Sequence, residues 1–301
     1  MSPLTADRQD VYTRVTNAIV AELEKGVRPW LKPWNAEHLA GKITRPLRVN
    51  GQPYKGINVL MLWASAASQG FTAQTWMSFN QARALGAQVK KGAKGSQVVY
   101  ADRLARTETG EDGQTTEHGI FFMKSFTVFN AEQIEGLPDR FQETPAPRPG
   151  MMERIGQADA FFAHTYADIR HGGPQAYYAS GLDYVQMPPF EAFRDAESYC
   201  STLAHELTHW TKHPARLARD FGRKRFGDEG YAREELVAEI GAAFLSCDLG
   251  ITPEPRADHA AYLDHWLGVL KADKRAIFQA AAHAQRAADY LHSLQPQSDA
   301  P

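Results

Sequence analysis

Cysteine is scarce in this sequence: 301 residues contain two, Cys200 and Cys247, and neither belongs to a paired metal motif. A disulfide framework is excluded, and buried thiols in a reducing compartment are the expectation. Long apolar runs are missing as well. No stretch of about eighteen apolar residues occurs and the N-terminus has no apolar signal core, so neither a membrane span nor export is expected, and the cytoplasm is the default location. Repeats of fixed period are absent, which sets solenoids aside. The spacing G-x4-G-K-[ST] of a triphosphate loop is absent too, although Lys90-Lys91-Gly92-Ala93-Lys94-Gly95 has the basic and glycine content to grip backbone phosphate.

Acid is nearly missing from one long window. The net charge is −2, but residues 1–150 carry 18 Lys and Arg against 14 Asp and Glu, whereas residues 151–301 carry 15 against 21. Between Lys25 and Lys94 the bases Lys25, Arg28, Lys32, Lys42, Arg45, Arg48, Lys55, Arg83, Lys90, Lys91 and Lys94 face the single acid Glu37. Such a stretch attracts polyanions. Four of the six tryptophans, Trp30, Trp34, Trp63 and Trp76, lie in the same window. Cations that track phosphates beside rings that stack on unpaired bases are what single-stranded nucleic acid requires. Trp63 and Trp76 sit among apolar helix residues and read as core. Trp30 and Trp34, between prolines and lysines, read as stacking residues. The candidate DNA contacts are therefore Arg28, Trp30, Lys32, Trp34, Arg45, Arg48, Lys55, Lys90, Lys91 and Lys94.

Residues 142–150 hold three prolines within five positions and no apolar period, the composition of an extended linker. Three segments follow: a basic, aromatic-rich domain over 1–141, the linker, and a second domain over 151–301, each long enough to bury a core. In the first, helical spacing of Tyr12, Val15, Ile19 and Leu23 predicts a helix from Asp10 to Lys25 ended by Gly26, followed by helices around 58–68 and 78–85. Strands at Gln97–Tyr100 and Gly119–Phe129 flank a polar connection over 107–117. In the second, Gln175–Tyr178 and Tyr184–Met187 read as two short strands around a glycine turn, an edge able to hold an extended peptide. Helices over Ser198–Trp210 and from Tyr231 onward come next, then a C-terminal arm of two helices from Asp258 to Leu291. The fold class is α+β in both domains.

The densest chemistry is His205-Glu206-Leu207-Thr208-His209. On a helix the two histidines lie one turn apart on one face, which is half of a zinc site with a carboxylate beside it. A catalytic zinc takes three protein ligands and leaves one position for water. The next helix offers Glu235, the choice for the third ligand, and Glu239 one turn on, which would accept a hydrogen bond from the free ring nitrogen of His205 or His209. The two roles can be exchanged. Glu234 is set aside because it projects about 100° away from Glu235. Glu206 would take a proton from a water whose pKa the metal lowers toward about 7, the chemistry of amide hydrolysis. Tyr231 and His213 are the candidates for a donor to the developing oxyanion.

Several of these motifs, in this order, resemble a known family. Trp30 to Trp34, the run Tyr54-Lys55-Gly56-Ile57-Asn58 with Trp63, the Lys90–Gly95 loop and Val128-Phe129-Asn130-Ala131-Glu132-Gln133-Ile134 look like the single-stranded-DNA-binding domain of ArdC-type antirestriction proteins, shared with TraC-type plasmid primases. His205 to His209, Trp210, His213-Pro214-Ala215-Arg216-Leu217 and the Tyr231 helix resemble the zincin-like metallopeptidase domain of that family. The resemblance implies a plasmid or mobile-element protein that binds single-stranded DNA and shields incoming DNA from host restriction endonucleases. It also implies a Zn2+ or other divalent ion on His205, His209 and a glutamate of the Tyr231 helix, with Glu206 as acid and base. The alternative is a genuine zinc metallopeptidase acting on a host protein such as a restriction-system component, with the N-terminal domain as recruiter. A zinc site kept for folding alone is the third reading.

Overall fold

A computed structural model describes residues 10–31, 43–109, 115–141, 150–222, 228–253 and 259–296. Helix α1 (Val11–Leu23) starts on Asp10, whose side chain accepts from the Thr13 backbone N–H, and Gly26 at φ +75° turns the chain just beyond its end. Then come β1 (Leu47–Arg48), α2 (Ile57–Gln69), β2 (Thr75–Ser78), α3 (Phe79–Ala84), β3 (Gln88–Val89) and the long strands β4 (Ser96–Thr109) and β5 (Thr115–Asn130), ending at β6 (Ile134–Glu135). A four-stranded sheet has the order β1-β2-β5-β4, with β1 parallel to β2 and the other pairs antiparallel. The β4–β5 ladder runs to Thr109 and Thr115, so Thr107–Thr109 and Thr115–Glu117, expected to be loop, continue the strands, because their threonines suit a ladder. Beneath the sheet, α3 and the β3–β6 pair enclose a small second core around Met77 and Ile134.

The C-terminal half opens with α4 (Met151–Ala163), followed by β7 (Asp168–His171), β8 (Tyr177–Ala179) and β9 (Tyr184–Met187). These strands form a sheet of order β7-β9-β8. Strand β7, parallel to β9, was not legible in the sequence: four residues alternating Asp-Ile-Arg-His carry only one apolar position. Helices α5 (Ala196–Trp210), α6 (Glu229–Leu249), α7 (His259–Ala272) and α8 (Ala276–Ser293) complete the half. Helix α6 is buried on every side from Glu234 to Cys247, and Cys200 and Cys247 are buried thiols. Among the described residues no helix is long and apolar enough to cross a membrane. The 142–149 part of the expected linker lies outside the described residues.

The main core does not stop between the halves. One continuous cluster runs from Val15 and Leu23 through Trp30, Leu60 and Trp63 to Leu207, Ile240, Phe244, Trp266 and Ile277, in place of one core per half. Its seam is aromatic and ionic. Tyr12 meets Phe278 at 4.7 Å and Trp63 meets Phe244 at 5.9 Å, both edge-on. Arg45 donates Nε and Nη2 to the two Asp248 oxygens, each at 2.8 Å, and lies 4.1 Å over the Phe244 ring. Burial works to raise the Asp248 carboxyl, but Arg45 and His292 outweigh it and hold it below the usual range. Arg45→Met removes the bidentate partner and leaves Asp248 only His292, so we expect the variant to lose about 1–2 kcal/mol in urea unfolding. A carboxyl depressed by folding contributes stability above its unfolded pKa and loses it as pH falls. The wild type should therefore weaken on acidification below pH about 4, in a single transition for both halves. A wild-type midpoint for the variant, or two separated transitions, contradicts this.

Candidate metal centre

Helix α5 is started by Asp195, which accepts from the Ser198 backbone N–H at 2.8 Å, and its last two turns, Leu203–Trp210, are buried throughout. It crosses α6 at Gly241. A Cβ there would lie 2.6 Å from Thr208 Cγ2, so only glycine allows this approach. The close crossing brings the histidine face of α5 onto the glutamate face of α6.

His205 Nε2 lies 3.5 Å from Glu235 Oε2, and His209 Nε2 lies 3.4 Å from Glu235 Oε1. One ligand atom from each of the three falls within 4.8 Å of the others. These separations exceed the usual N–H···O distance of about 2.9 Å, and the three groups lie close enough together to share one ion. The opposite ring nitrogens also face acids. His205 Nδ1 is 3.4 Å from Glu239 Oε1, and His209 Nδ1 is 3.0 Å from Glu234 Oε1. Both imidazoles thus present Nε2 toward the Glu235 carboxylate, with a second carboxylate behind each ring.

Glu234 corrects the sequence reading. It does project away from Glu235, but the two nitrogens of an imidazole also point apart, so the acid on the neighbouring face of α6 is the one behind His209. Arg219 fixes it with Nε to Oε2 and Nη2 to Oε1, both 2.8 Å, and is itself tied to Thr211 Oγ1 and the Thr208 carbonyl. Burial works against the charge of Glu234, but Arg219 and then His209 prevail and bring its pKa down to about 2. No sequence spacing announces Arg219, which arrives from the turn after α5. Glu206 is buried on α5 between the histidines. Of the two oxyanion candidates, Tyr231 stands beside Glu235, and burial, then that charge, raises its pKa, while its hydroxyl meets that of Tyr262 at 3.0 Å. His213 is used locally, accepting from the Ala215 backbone N–H at 3.2 Å. The edge strand β8 packs on α5, where Arg216 pairs with Asp183 and covers Trp210 at 3.8 Å.

The candidate DNA contacts divide. Trp30 is fully buried, 0 % exposed, with Nε1 donating to Glu239 Oε2 at 3.3 Å, so it is not a base-stacking residue. Arg28 faces the same oxygen at 3.6 Å, Arg45 is held by Asp248, and Lys55 pairs with Asp289 at 3.0 Å. Arg28 and Arg45 are thereby turned from the surface toward acids of the C-terminal half, while Lys55 stays exposed in its pair. Lys32 and Trp34 lie outside the described residues. Arg48, Lys90, Lys91 and Lys94 are exposed. The Lys90–Gly95 loop is pinned from below: Gln133 Nε2 donates to the Lys94 carbonyl and Lys90 Nζ to the Glu132 carbonyl. Two exposed rings escaped the sequence reading, Tyr100 at 50 % and Phe126 at 48 %. Tyr100 is opposite Lys124 and Phe126 opposite Val98, so both rings share one face of the hairpin with a lysine. Only the period-two alternation of β4 and β5 could have marked them.

Two histidines one turn apart, an intervening glutamate and an acid from the next helix are a residue set that could hold a metal ion, as in zincin-type sites, on an α+β scaffold. A family described as zincin-like metallopeptidase matches residues 156–283, and one described as the N-terminal domain of anti-restriction factor ArdC matches residues 9–129. The chain belongs to the ArdC family of antirestriction proteins. It is 44 % identical to the antirestriction ArdC protein of plasmid R388 in a metal-free crystal structure, at a TM-score of 0.79 with 95 % of this chain and 97 % of that one covered. A Mn(II)-bound structure of that protein gives 43 % and 0.79, covering 96 % and 100 %. Protein y4eC of Sinorhizobium fredii is 41 % identical over 97 % of this chain and 96 % of its own length. A DNA primase TraC of Escherichia coli is 36 % identical over 94 % of this chain, which spans 27 % of that protein.

The helix crossing is testable. Gly241→Ala drives a methyl into Thr208, and we expect about 2 kcal/mol of lost stability together with weaker metal binding, because the ligands sit on both helices. Thr208→Ser in the same chain removes the Cγ2 atom and should restore most of both. Thermal melts and metal titration check this, and an unaffected single variant contradicts it.

Proposed function

We propose that this chain is an antirestriction protein that binds single-stranded DNA and protects incoming plasmid DNA from host restriction endonucleases, with one divalent ion, zinc by preference, on His205, His209 and Glu235. The observation that carries the metal reading is the convergence of two Nε2 atoms on the Glu235 carboxylate, with one ligand atom from each residue within 4.8 Å of the others. Glu239 and Glu234 hold the rings from behind. The DNA reading rests on family membership together with the exposed Lys90, Lys91 and Lys94 and the Tyr100, Phe126 and Lys124 face, which combine phosphate contact with base stacking. Trp30, Arg28 and Arg45, held against the C-terminal half, leave the DNA-contact set, whereas the exposed Lys55 stays in it.

Binding to a single-stranded oligonucleotide should weaken steeply with salt. Each phosphate contact contributes about 0.7 to the slope of log K against log salt, so Lys91→Gln with Lys94→Gln should flatten the slope by about 1.4. Phe126→Ala should weaken binding by about 1–3 kcal/mol with the slope intact. An unchanged slope in the lysine pair removes the loop from the interface.

A second reading, hydrolysis of a host protein, is favoured by one observation: the buried Glu206 stands between two ligands on the same helix. A bound ion supplies Lewis-acid polarisation of water and of a carbonyl. Glu206 would take the water's proton and return it to the leaving amine, with Tyr231 beside Glu235 as the phenol nearest the ligands. Metal analysis should find one ion per chain in the wild type and in Glu206→Gln, and none in His205→Ala. Protection of transferred plasmid that survives in Glu206→Gln assigns protection to DNA binding, and its loss with the ion retained assigns it to hydrolysis.

A further inference from the structure

We propose that the N-terminal half completes the metal centre of the C-terminal half: Trp30 and Arg28 are positioning residues that hold Glu239 and, through it, His205. The inference rests on the reading that His205, His209 and Glu235 take a divalent ion. Glu239 divides its two oxygens between the halves. Oε1 faces His205 Nδ1 at 3.4 Å, while Oε2 accepts from Trp30 Nε1 at 3.3 Å and lies 3.6 Å from Arg28 Nη1. A glutamate side chain tethered at one oxygen alone keeps rotamer freedom, and fixing the second removes it. An acceptor oxygen facing Nδ1 favours the tautomer with the proton on that side, which leaves the Nε2 lone pair for the ion.

Trp30 has no latitude of its own. It is fully buried and packs edge-on against Trp266 at 5.5 Å, and Trp266 stacks on Tyr262, whose hydroxyl meets that of Tyr231 beside Glu235. The next residue, Leu31, lines the crevice beside His205 together with Ser201, Thr202 and Pro253. The segment Arg28–Leu31 therefore reaches the centre from two sides, across 209 positions of sequence. Docking of this segment and loading of the ion are linked, and linkage is reciprocal: whatever displaces the segment weakens the ion, and the ion tightens the docking.

The test is titration of Zn2+ into metal-free, full-length protein by competition with a chelator. Trp30→Phe keeps a ring against Trp266 and deletes the N–H, Arg28→Met deletes the charge, and Arg28→Lys keeps it. Trp30→Phe and Arg28→Met should each bind Zn2+ about tenfold more weakly or worse, within the range of about 10- to 100-fold seen for outer partners of metal ligands, with Arg28→Lys near wild type. Because both residues act through Glu239, Trp30→Phe added to Glu239→Gln should weaken binding no further than Glu239→Gln alone. Wild-type affinity in both Trp30→Phe and Arg28→Met, or a fully additive loss in the double variant, overturns the inference and leaves the metal reading standing. If Trp30→Phe does not fold, the Arg28 pair decides: equal affinity in Arg28→Met and Arg28→Lys overturns it. A wild type that takes up no Zn2+ removes both readings.

Discussion

Three carboxylates inside a helix that is buried all round impose the constraint on which the rest of this structure depends. Glu234, Glu235 and Glu239 all lie on α6 within the protein interior, where an ion without a partner carries a penalty of several kcal/mol. Each is met differently. Glu234 takes a fork from Arg219, and Glu239 takes Trp30 and Arg28. Glu235 faces imidazoles and a phenol, groups with no fixed positive charge, and no Lys or Arg among the described residues pairs with it. Burial works against its charge, and the two histidines are what hold its pKa well below the usual value. Protonated imidazoles and a dication are alternative sources of the same compensation, and a dication releases the rings to act as neutral ligands. The glutamate without a fixed cation is thus the one placed to ligate.

The same accounting of charge changes the meaning of the basic window. Its eleven bases against one acid suggested a surface for polyanions, and the acidic C-terminal half suggested nothing in particular. The fold sets part of one against the other: Arg28 with Glu239, Arg45 with Asp248, Lys55 with Asp289. Charge asymmetry between halves of a chain is as much a signature of halves that dock on each other as of a foreign ligand. The basic and aromatic surface left outside these pairs is smaller and better defined, a pinned lysine loop and a hairpin face with two exposed rings.

Periodic features were legible in the sequence and contacts across it were not. Helices α1, α2, α5 and α6, and the two helices of the C-terminal arm, follow from apolar spacing and from Asp10, Gly26 and Pro214 as boundaries. The convergence of His205, His209 and Glu235 follows from helical geometry plus the rule of three ligands. Trp30 misled because its neighbours, prolines and lysines, describe an irregular surface segment, whereas its fate is decided by Trp266 and Glu239, more than two hundred positions away. Glu234 misled for a different reason. Helical phase compares acids with each other, but the second nitrogen of a histidine ring reverses the direction in which a partner is needed.

The donor set also bears on which ion the site prefers. Two imidazoles, which are borderline ligands, and one hard carboxylate make a set that zinc, manganese and their neighbours all accept, and for such sites affinity rises from Mn2+ toward Zn2+. The Mn(II)-bound structure of the R388 protein shows that a relative 43 % identical takes the weaker binder, which speaks for tolerance in that protein and not for preference. In this chain the donor set is fixed by its surroundings more than by its chemistry. The close crossing at Gly241 sets how near the two helices stand, and the buried carboxylates behind both rings set which way the imidazoles face. An arrangement that begins with a missing Cβ on α6 and ends with an indole from the other half of the chain holds three donors in place before any ion arrives, whichever divalent ion that is.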